Sequence, residues 1–184
     1  MAKIKYGISN VHIALWEEGS GGTWGWGTPI AVPGARALTL DPTGELIKWF
    51  ADNVPYYKAH SNQGYEGSLE LAMIPDTLRE AILGEVLDAS TKNLYEISDG
   101  SEAVTFALGF QVETDEDPIS FWFYNVSADR ASLTANTKED TIDPQTDTIP
   151  LTLAPDTDGY VRVKSTENST TASWFAAVVT HPAA

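Results

Sequence analysis

Cysteine is absent from this chain of 184 residues, which excludes disulfide bonds and metal sites built from thiolates. Only three histidines are present, and none of His12, His60 and His181 stands at ligand spacing from another, which argues against a zinc site. Without cysteine, covalent catalysis would need a serine with a histidine base, and no nucleophile-elbow motif accompanies the histidines. We therefore expect no metal, no cofactor and no enzymatic activity.

Basic residues are scarce as well. The chain has 11 lysines and arginines against 26 acidic residues, and its formal net charge is −15. Such a surface repels nucleic acid and anionic membranes. No apolar run approaches the ~18–20 residues that span a bilayer. The N-terminal MAKIKYGISN lacks the apolar region of a signal peptide. We expect neither a membrane segment nor a secretion signal.

Apolar residues nevertheless make up 42% of the chain, with six Trp, seven Tyr and six Phe, which predicts one domain with a hydrophobic core. The chain is organised around GYEGSLELAMIPDTLREAILG at residues 64–84, which begins as a strand in which apolar residues alternate with polar ones. The residues expected to face the core are Tyr65, Leu69, Leu71 and Met73. The residues expected on the opposite face are Glu66, Ser68 and Glu70.

The second half of this pattern predicts a helix at about residues 75–84. Pro75 suits the first turn, where its missing N–H costs no hydrogen bond, and Asp76 complements the helix dipole. Leu78, Ala81 and Ile82 then form an apolar stripe at helical spacing, and Gly84 suits the left-handed conformation that ends a helix. The segment therefore predicts a strand and the helix that covers it.

Several other segments have strand-like composition, namely residues 4–16, 30–40, 103–112, 119–126, 131–137, 148–153, 160–164 and 174–179. Segment 119–126, ISFWFYNV, is apolar on both faces and is predicted to be a central strand that is covered on both sides. Pro150 confines its strand to an edge, a bulge or a strand end. Residues 41–44 and Asp158-Gly159 predict turns, the latter a hairpin turn, and residues 165–173 a polar linker. The pattern as a whole predicts a β-rich fold with one helix.

Residues 41–63 contain ELIKWFADNVPYYKAHSNQ, which has no sustained period of either helix or strand. We interpret this segment as a long loop, and loops of this length are often functional. Its aromatic residues are Trp49, Phe50, Tyr56 and Tyr57, which are too apolar to remain free in water. They either fold back on the domain or dock on another subunit, and we favour docking.

Two other groups of residues are candidates for binding. Trp24 and Trp26 lie in the glycine-rich EEGSGGTWGWGTP, a loop or hairpin connection. These two residues either stack on a sugar or base, cap an edge of the core, or pack against a neighbouring chain. Four clustered carboxylates, Glu113, Asp115, Glu116 and Asp117, lack the glycine-centred spacing of a calcium loop and are interpreted as a solvated turn.

Four segments together resemble the major tail tube protein of long-tailed, non-contractile bacteriophages. They are KYGISNVHIA, GYEGSLELAMIP, FALGFQVETDEDPISFWFYNVSADR, and TIDPQTDTIPLTL followed by DGYVRVKS. They occur in the family's order and cover most of the chain. The resemblance implies a β-sandwich or barrel with one short flanking helix and a long protruding loop. It also implies a virion protein that forms stacked hexameric rings in the host cytoplasm, and a tube through which genomic DNA is ejected.

On this resemblance residues 1–164 form the tail-tube domain, and residues 165–184 add the polar linker and a C-terminal segment. The loop at 41–63, with its four aromatic residues, is the arm that packs on the adjacent ring. The alternation in their strand makes Glu66, Ser68 and Glu70 the candidates for the lining of the channel, where acidic groups would let DNA slide without specific binding. The partners are other copies of the chain, the tape measure, the terminator and the tail tip.

A different class of protein also fits the pattern. The alternative is a monomeric β-sandwich that binds carbohydrate or acts as an adhesin. In that case Trp24, Trp26 or Tyr57 would serve as stacking platforms. Such a module stays monomeric and gains stability from a glycan, whereas a tube protein associates with itself without any ligand.

Overall fold

A computed structural model of the chain describes residues 4–19, 21–98, 104–137, 144–166, 169 and 173–182. In this part of the chain the fold is mainly β with one short helix, and the predicted fold class is confirmed. Residue 103, at the start of a predicted strand, and much of the predicted linker at 165–173 lie outside the described residues.

The described strands form a large antiparallel sheet and two small ones. Their bounds are β1 (Lys5–Glu18), β2 (Trp24–Trp26), β3 (Ile30–Ala31), β4 (Ala35–Thr43), β5 (Leu46–Ala51), β6 (Val54–His60), β7 (Gly64–Leu71), β8 (Val86–Leu87), β9 (Leu94–Tyr95), β10 (Phe106–Thr114), β11 (Ile119–Ala128), β12 (Asp147–Ala154) and β13 (Arg162–Lys164). The helix, α1 (Asp76–Ile82), follows Pro75 as predicted. Gly84 has φ +68°, the left-handed conformation expected after a helix end.

The large sheet curves around the core until its two ends meet. Its strand order is β2-β1-β10-β11-β12-β7-β4, and β3 also pairs with β1. The chain passes from β3, paired with β1, through Pro33 and Gly34 into β4, which pairs with β7. Residues 30–43 therefore connect the two ends of the sheet, as expected for the predicted β-sandwich or barrel.

The main core lies inside this curved sheet. Its buried side chains include Ile13, Leu69, Leu71, Phe106, Leu108, Phe123, Ile149 and Leu153. Helix α1 adds Leu78 and Ile82 to the same core, so the predicted strand and helix do cover one another. The prediction for Met73 is wrong. Strand β7 ends at Leu71, and the chain then turns so that Met73 is 73% exposed while Ile74 enters the core.

A second apolar cluster covers the outer face of the sheet. It consists of Ala14, Ala107, Trp122, Tyr124, Trp174 and Val178. The prediction that β11 is covered on both sides is confirmed, because Phe123 faces the main core and Trp122 faces this cluster. The cluster is completed by residues 173–182, so the C-terminal segment is packed against the body of the protein.

The C-terminal segment is not the terminal strand that its composition predicts. Residues 173–176 form turns. Two backbone carbonyls of the C-terminal segment accept hydrogen bonds from side chains of the sheet. The Trp122 indole N–H donates to the carbonyl of Trp174 at 2.9 Å, and the Tyr124 hydroxyl donates to the carbonyl of Val179 at 2.9 Å. These two side-chain hydrogen bonds attach the segment to the sheet, although the described part of its backbone does not pair with any strand as a further strand would.

The turn at Asp158-Gly159 does not make the predicted hairpin. Strands β12 and β13 lie one after the other along the same edge of β11, and the chain runs in one direction through both. The Asp156 carboxylate accepts the N–H groups of Asp158 and Tyr160, which closes residues 155–161 into a local loop. After this loop the chain pairs with β11 again, as β13, because the backbone of β11 at Phe121–Phe123 is not paired with β12.

Three smaller predictions also fail. Residues 41–43 belong to β4 and not to a turn. Residues 131–137 form only an isolated bridge, Ser132 to Thr148, and Leu133 points into solvent. Strand β12 lies between β11 and β7 despite Pro150. The Pro150 carbonyl accepts a hydrogen bond from the Asp129 N–H, so the nitrogen of Pro150 also faces the β11 side. This position lies beyond the last paired residues of β11 and β12, and the proline therefore removes no hydrogen bond of the ladder.

Candidate functional site

The segment predicted as a long loop, residues 41–63, is a β-hairpin. Strands β4 and β7 pair in the main sheet, and beyond them β5 and β6 pair only with each other in the described structure. Asp52 and Asn53 form the tip with φ of 53° and 62°, as a two-residue type I′ turn requires. The sequence does not show these strands clearly because apolar residues lie on both faces of the ribbon, which removes the alternation.

A narrow neck joins this hairpin, which we call the arm (β5–β6, Leu46–His60), to the main sheet. The Ser61 N–H donates to the Glu45 carbonyl, and the Gln63 N–H donates to the Thr43 carbonyl. Gly44 has φ +148°, and a Cβ at this position would lie 1.9 Å from the Ser61 carbonyl oxygen. Only glycine fits there, so the backbone at the neck fixes the direction in which the arm leaves the body.

The arm brings together the four aromatic residues that the sequence singled out. Trp49, Phe50, Tyr56 and Tyr57 are 63%, 58%, 74% and 58% exposed. Trp49 lies opposite Tyr57 and also meets Tyr56 edge to face, with ring centroids 6.3 Å apart. Leu46, Ile47 and Val54 of the arm are exposed as well. The arm therefore presents an apolar surface to solvent.

The arm also carries a small concentration of positive charge. Lys48 lies directly opposite Lys58 on the face that does not carry Trp49. Like charges in directly opposed positions destabilise a strand pair. An isolated two-stranded ribbon is in any case only marginally stable in water. The composition of the arm is therefore better suited to contact with another surface than to exposure.

The three residues predicted on the polar face of β7 do share one face of the sheet. Glu66 lies opposite Asp41 of β4, and Ser68 lies between Thr39 and Pro150. Glu66 is exposed, whereas Ser68 and Glu70 are half-buried. The alternation predicted for these residues is confirmed, and Asp41 joins Glu66 as a second acidic residue on this face.

Glu70 differs from Glu66 because its charge is compensated. The Thr146 hydroxyl donates to its Oε1, and the Arg36 guanidinium forms an ion pair with the same oxygen at 2.7 Å. The Thr146 hydrogen bond, followed by the Arg36 charge, holds the pKa of the Glu70 carboxyl below its ordinary value despite partial desolvation. The acidity of this face therefore depends mainly on Glu66 and Asp41.

A cleft of about 670 Å³ lies at the outer face of the sheet. We call it the tryptophan cleft. One wall is the β1–β2 hairpin, which confirms the hairpin interpretation of the glycine-rich segment and supplies Trp16, Trp24 and Trp26. Trp16 and Trp26 meet edge to face, with ring centroids 4.7 Å apart. Trp24 is exposed. The third stacking candidate, Tyr57, lies on the arm and not in this cleft.

The opposite wall of the tryptophan cleft is polar. His181 Nε2 lies 3.0 Å from Asp156 Oδ2 and 3.6 Å from Asp158 Oδ2, and the His181 ring stacks on Tyr160 with centroids 4.3 Å apart. Tyr124 lines the cleft beneath them. Burial, reinforced by the Asp156 charge, raises the pKa of Tyr124 to about 12. This hydroxyl stays protonated at neutral pH and keeps its bond to the C-terminal segment.

The sequence did not predict this wall, because its residues come from distant parts of the chain. The loop between β12 and β13 supplies the aspartates, and the C-terminal segment supplies the histidine. The available signal is the Asp-rich PDTDGY stretch, but its pattern predicts a hairpin turn and not a binding wall. The other histidines lie elsewhere: His12 stacks on Phe175 at 4.8 Å, and His60 is exposed at the end of β6.

Hydrogen bonds from β1 and from within the turn hold the acidic segment between β10 and β11. The Ser9 hydroxyl donates to Glu113 at 2.7 Å, and the Thr114 hydroxyl donates to the carbonyl of Asp117 at 2.8 Å. In the part of the chain that the structure describes, no group of three or more His, Asp or Glu side chains is arranged to hold a metal ion. The described residues also include no helix long and apolar enough to cross a membrane.

Comparison with known proteins assigns no family. No protein-family model matches the chain, and no curated protein matches it.

Proposed function

We propose that the chain is a structural virion protein that assembles with itself into stacked hexameric rings of a bacteriophage tail tube. The observation that carries the proposal is the arm, which leaves the folded body with an exposed apolar surface. The four stretches of sequence resemblance support the hexameric arrangement. The mainly β fold with one short helix agrees with the architecture that this resemblance implies.

The energetics of the arm favour contact between copies. Burying Trp49, Phe50, Tyr56 and Tyr57 against an adjacent ring would contribute roughly 1.5–3 kcal/mol each, before the cost of ordering and association. Each subunit of a ring brings its own arm, so the contacts between two rings form together and reinforce one another. A weak contact per arm is therefore enough to hold a stack of rings.

The edges of the arm support self-association by a second physical argument. In the described structure neither β5 nor β6 pairs with a strand outside the arm, so each leaves one edge of its backbone without a strand partner. Open strand edges promote pairing with other chains. In a closed ring such edges would be paired or covered, and uncontrolled aggregation would be avoided.

The polar face of β7 is the candidate lining of the channel. Glu66 and Asp41 place two carboxylates side by side on this face, and the chain as a whole has a formal charge of −15. A negative lining repels phosphate groups, so DNA would pass through without adhering. The terminator, the tape measure and the tail tip are the other partners that this role implies.

The decisive experiment is negative-stain electron microscopy of the purified protein across a concentration series, with light scattering on the same samples. We expect rings or hollow tubes that grow with concentration. The double variant Trp49→Ala with Tyr57→Ala removes an opposed pair from the arm, and we expect it to lose ring stacking. The control is Leu133→Ala, which removes another exposed apolar side chain outside the arm and should assemble normally. Equal tube lengths for both variants would refute the role of the arm.

A second candidate function, a monomeric module that binds carbohydrate, is favoured by the tryptophan cleft. The cleft combines aromatic faces with carboxylate and amide groups, as saccharide sites require. A glycan that raises the unfolding temperature of a monomer at all concentrations would support this alternative. Ligand-free association into rings would reject it.

A further inference from the structure

The tryptophan cleft has a distinct chemical preference. Trp16, Trp24 and Trp26 supply aromatic faces, which attract cations as well as apolar groups. The polar wall has two carboxylates, Asp156 and Asp158, against one imidazole. It therefore keeps a net negative charge whether or not His181 is protonated. The cleft suits an occupant that is partly aromatic and carries positive charge.

The arm of the same chain has this chemistry. Leu46–His60 contains two lysines and one aspartate, a formal charge of +1 in a chain whose total is −15. Lys48 and Lys58 form an opposed pair on one face of the arm, and the exposed pair Trp49 and Tyr57 lies on the other face. The arm is therefore complementary to the cleft both in charge and in aromatic character.

Within a single chain the two surfaces do not meet. No residue of the arm lines the cleft, and the large side chains of the arm are exposed. The cleft volume of about 670 Å³ is large enough for several side chains of an arm, though not for the whole ribbon. Contact between arm and cleft has to come from two copies of the chain.

We infer that the tryptophan cleft of one copy receives the arm of another copy. This inference rests on the proposed function, because it names the surface on which the arm docks. Arm and cleft are different surfaces, so the contact is heterologous: each copy gives one arm and receives another. Heterologous contacts generate closed rings or continuing stacks and not simple two-fold dimers.

The test uses two variants with opposite defects. The arm variant carries Lys48→Ala and Lys58→Ala, and it keeps an intact cleft. The cleft variant carries Trp24→Ala and Asp158→Lys, and it keeps an intact arm. Each variant alone should need an at least about tenfold higher concentration to assemble than the unaltered protein, as expected when central contacts of an interface are lost.

An equal mixture of the two variants gives the sharper result. One variant can only receive an arm and the other can only provide one. Assembly of the mixture should therefore stop at a pair of units, whether the unit is a chain or a ring, as measured by sedimentation velocity. A contact of arm with arm would give no such pair, because one variant has no functional arm. Absence of the pair would overturn the inference.

Controls separate folding from docking and this inference from the proposed function. Glu80→Lys with Leu133→Ala changes charge and apolar surface elsewhere and should assemble normally. Trp24→Ala alone removes an exposed side chain and provides a cleft variant that folds even if Asp158→Lys does not. A folded cleft variant that assembles like the unaltered protein would overturn the inference while the proposed function stands. An unaltered protein that remains monomeric at all concentrations would overturn both.

Discussion

Two aromatic hairpins of this protein have similar compositions and opposite environments. The β10–β11 hairpin carries Trp122, which has no exposed surface, and Phe123, which is nearly as buried. The β5–β6 arm carries Trp49, which is 63% exposed, and Tyr56, which is more exposed still. The first hairpin has the main core on one side and the C-terminal segment on the other. Among the residues that the structure describes, none forms a layer against either face of the second.

This comparison shows that a strand rich in aromatic residues is expected to pack against another layer of protein. The aromatic content does not reveal whether that layer comes from the same chain or from another. In β10–β11 the layer is intramolecular, and it is fixed by hydrogen bonds such as that of the Trp122 indole to Trp174. In the arm we propose that another copy supplies the layer. The two hairpins should therefore respond differently to the same kind of substitution.

The largest effect is expected from Trp122→Ala. Removing a fully buried tryptophan leaves a cavity between the sheet and the C-terminal segment and should lower the free energy of unfolding by about 3–5 kcal/mol. Trp49→Ala should change the unfolding free energy of the unassembled chain by no more than about 0.5 kcal/mol. Chemical denaturation at a concentration below assembly measures both. Similar losses for the two variants would remove the distinction between the hairpins.

The next effect is expected at the neck of the arm. Gly44→Ala places a Cβ against the Ser61 carbonyl at a backbone conformation suited to glycine, which should cost about 1–3 kcal/mol, mainly within the arm. Hydrogen exchange should speed up for amides of β5 and β6 and remain unchanged in β10 and β11. Gly25→Ala is the matched control, because a Cβ there meets no atom within 4 Å. Uniform loss of protection throughout the body would contradict an independent arm.

A smaller effect is expected on the polar face of β7. Glu66→Lys should leave tube formation intact and give each subunit a new contact with phosphate. For each such contact, the logarithm of the binding constant for duplex DNA should fall with the logarithm of the salt concentration by an additional slope of about 0.9. DNA ejection should be hindered accordingly. Binding of duplex DNA to assembled tubes at several salt concentrations checks this result. The control is Glu80→Lys on helix α1, with the same change of charge, and equal DNA binding by both variants would argue against a lining role for Glu66.

The smallest effect is expected at Glu70. The predicted acidic lining includes both Glu70 and Glu66, but only Glu70 has its charge compensated by neighbouring residues. Its pKa is lowered in the folded state, so its contribution to stability is present above the ordinary carboxyl pKa and is lost as the pH falls through the lowered value. Thr146→Val removes the principal cause and should raise the pKa of Glu70. An NMR titration of the side-chain carboxyl measures the change, and an unaltered titration would show that Thr146 does not stabilise the carboxylate.

Much of the fold could be predicted from local pattern. The alternation of β7 and the helix after Pro75 could be predicted because one face of each element packs against the core, which imposes a regular period on its apolar residues. Strand β11 could be predicted to be a central strand because its apolar residues occupy both faces. The hairpin of the arm could not be predicted, because in the described structure neither of its faces packs against the rest of the chain to impose an alternation. The sequence nevertheless predicted that its four aromatic residues either fold back on the domain or dock on another subunit, and favoured docking.

The sequence alone determined the β-rich class, the strand and helix at residues 64–84, and the unusual apolar character of residues 41–63. Local periodicity and composition carry this information because they reflect burial of one side of an element. Only the tertiary structure decided that Asp156, Asp158 and His181 face Trp24 across a cleft, and that Arg36 and Thr146 compensate Glu70. These contacts join residues far apart in the chain, and nothing in the local sequence constrains which distant segments meet when the sheet closes around its core.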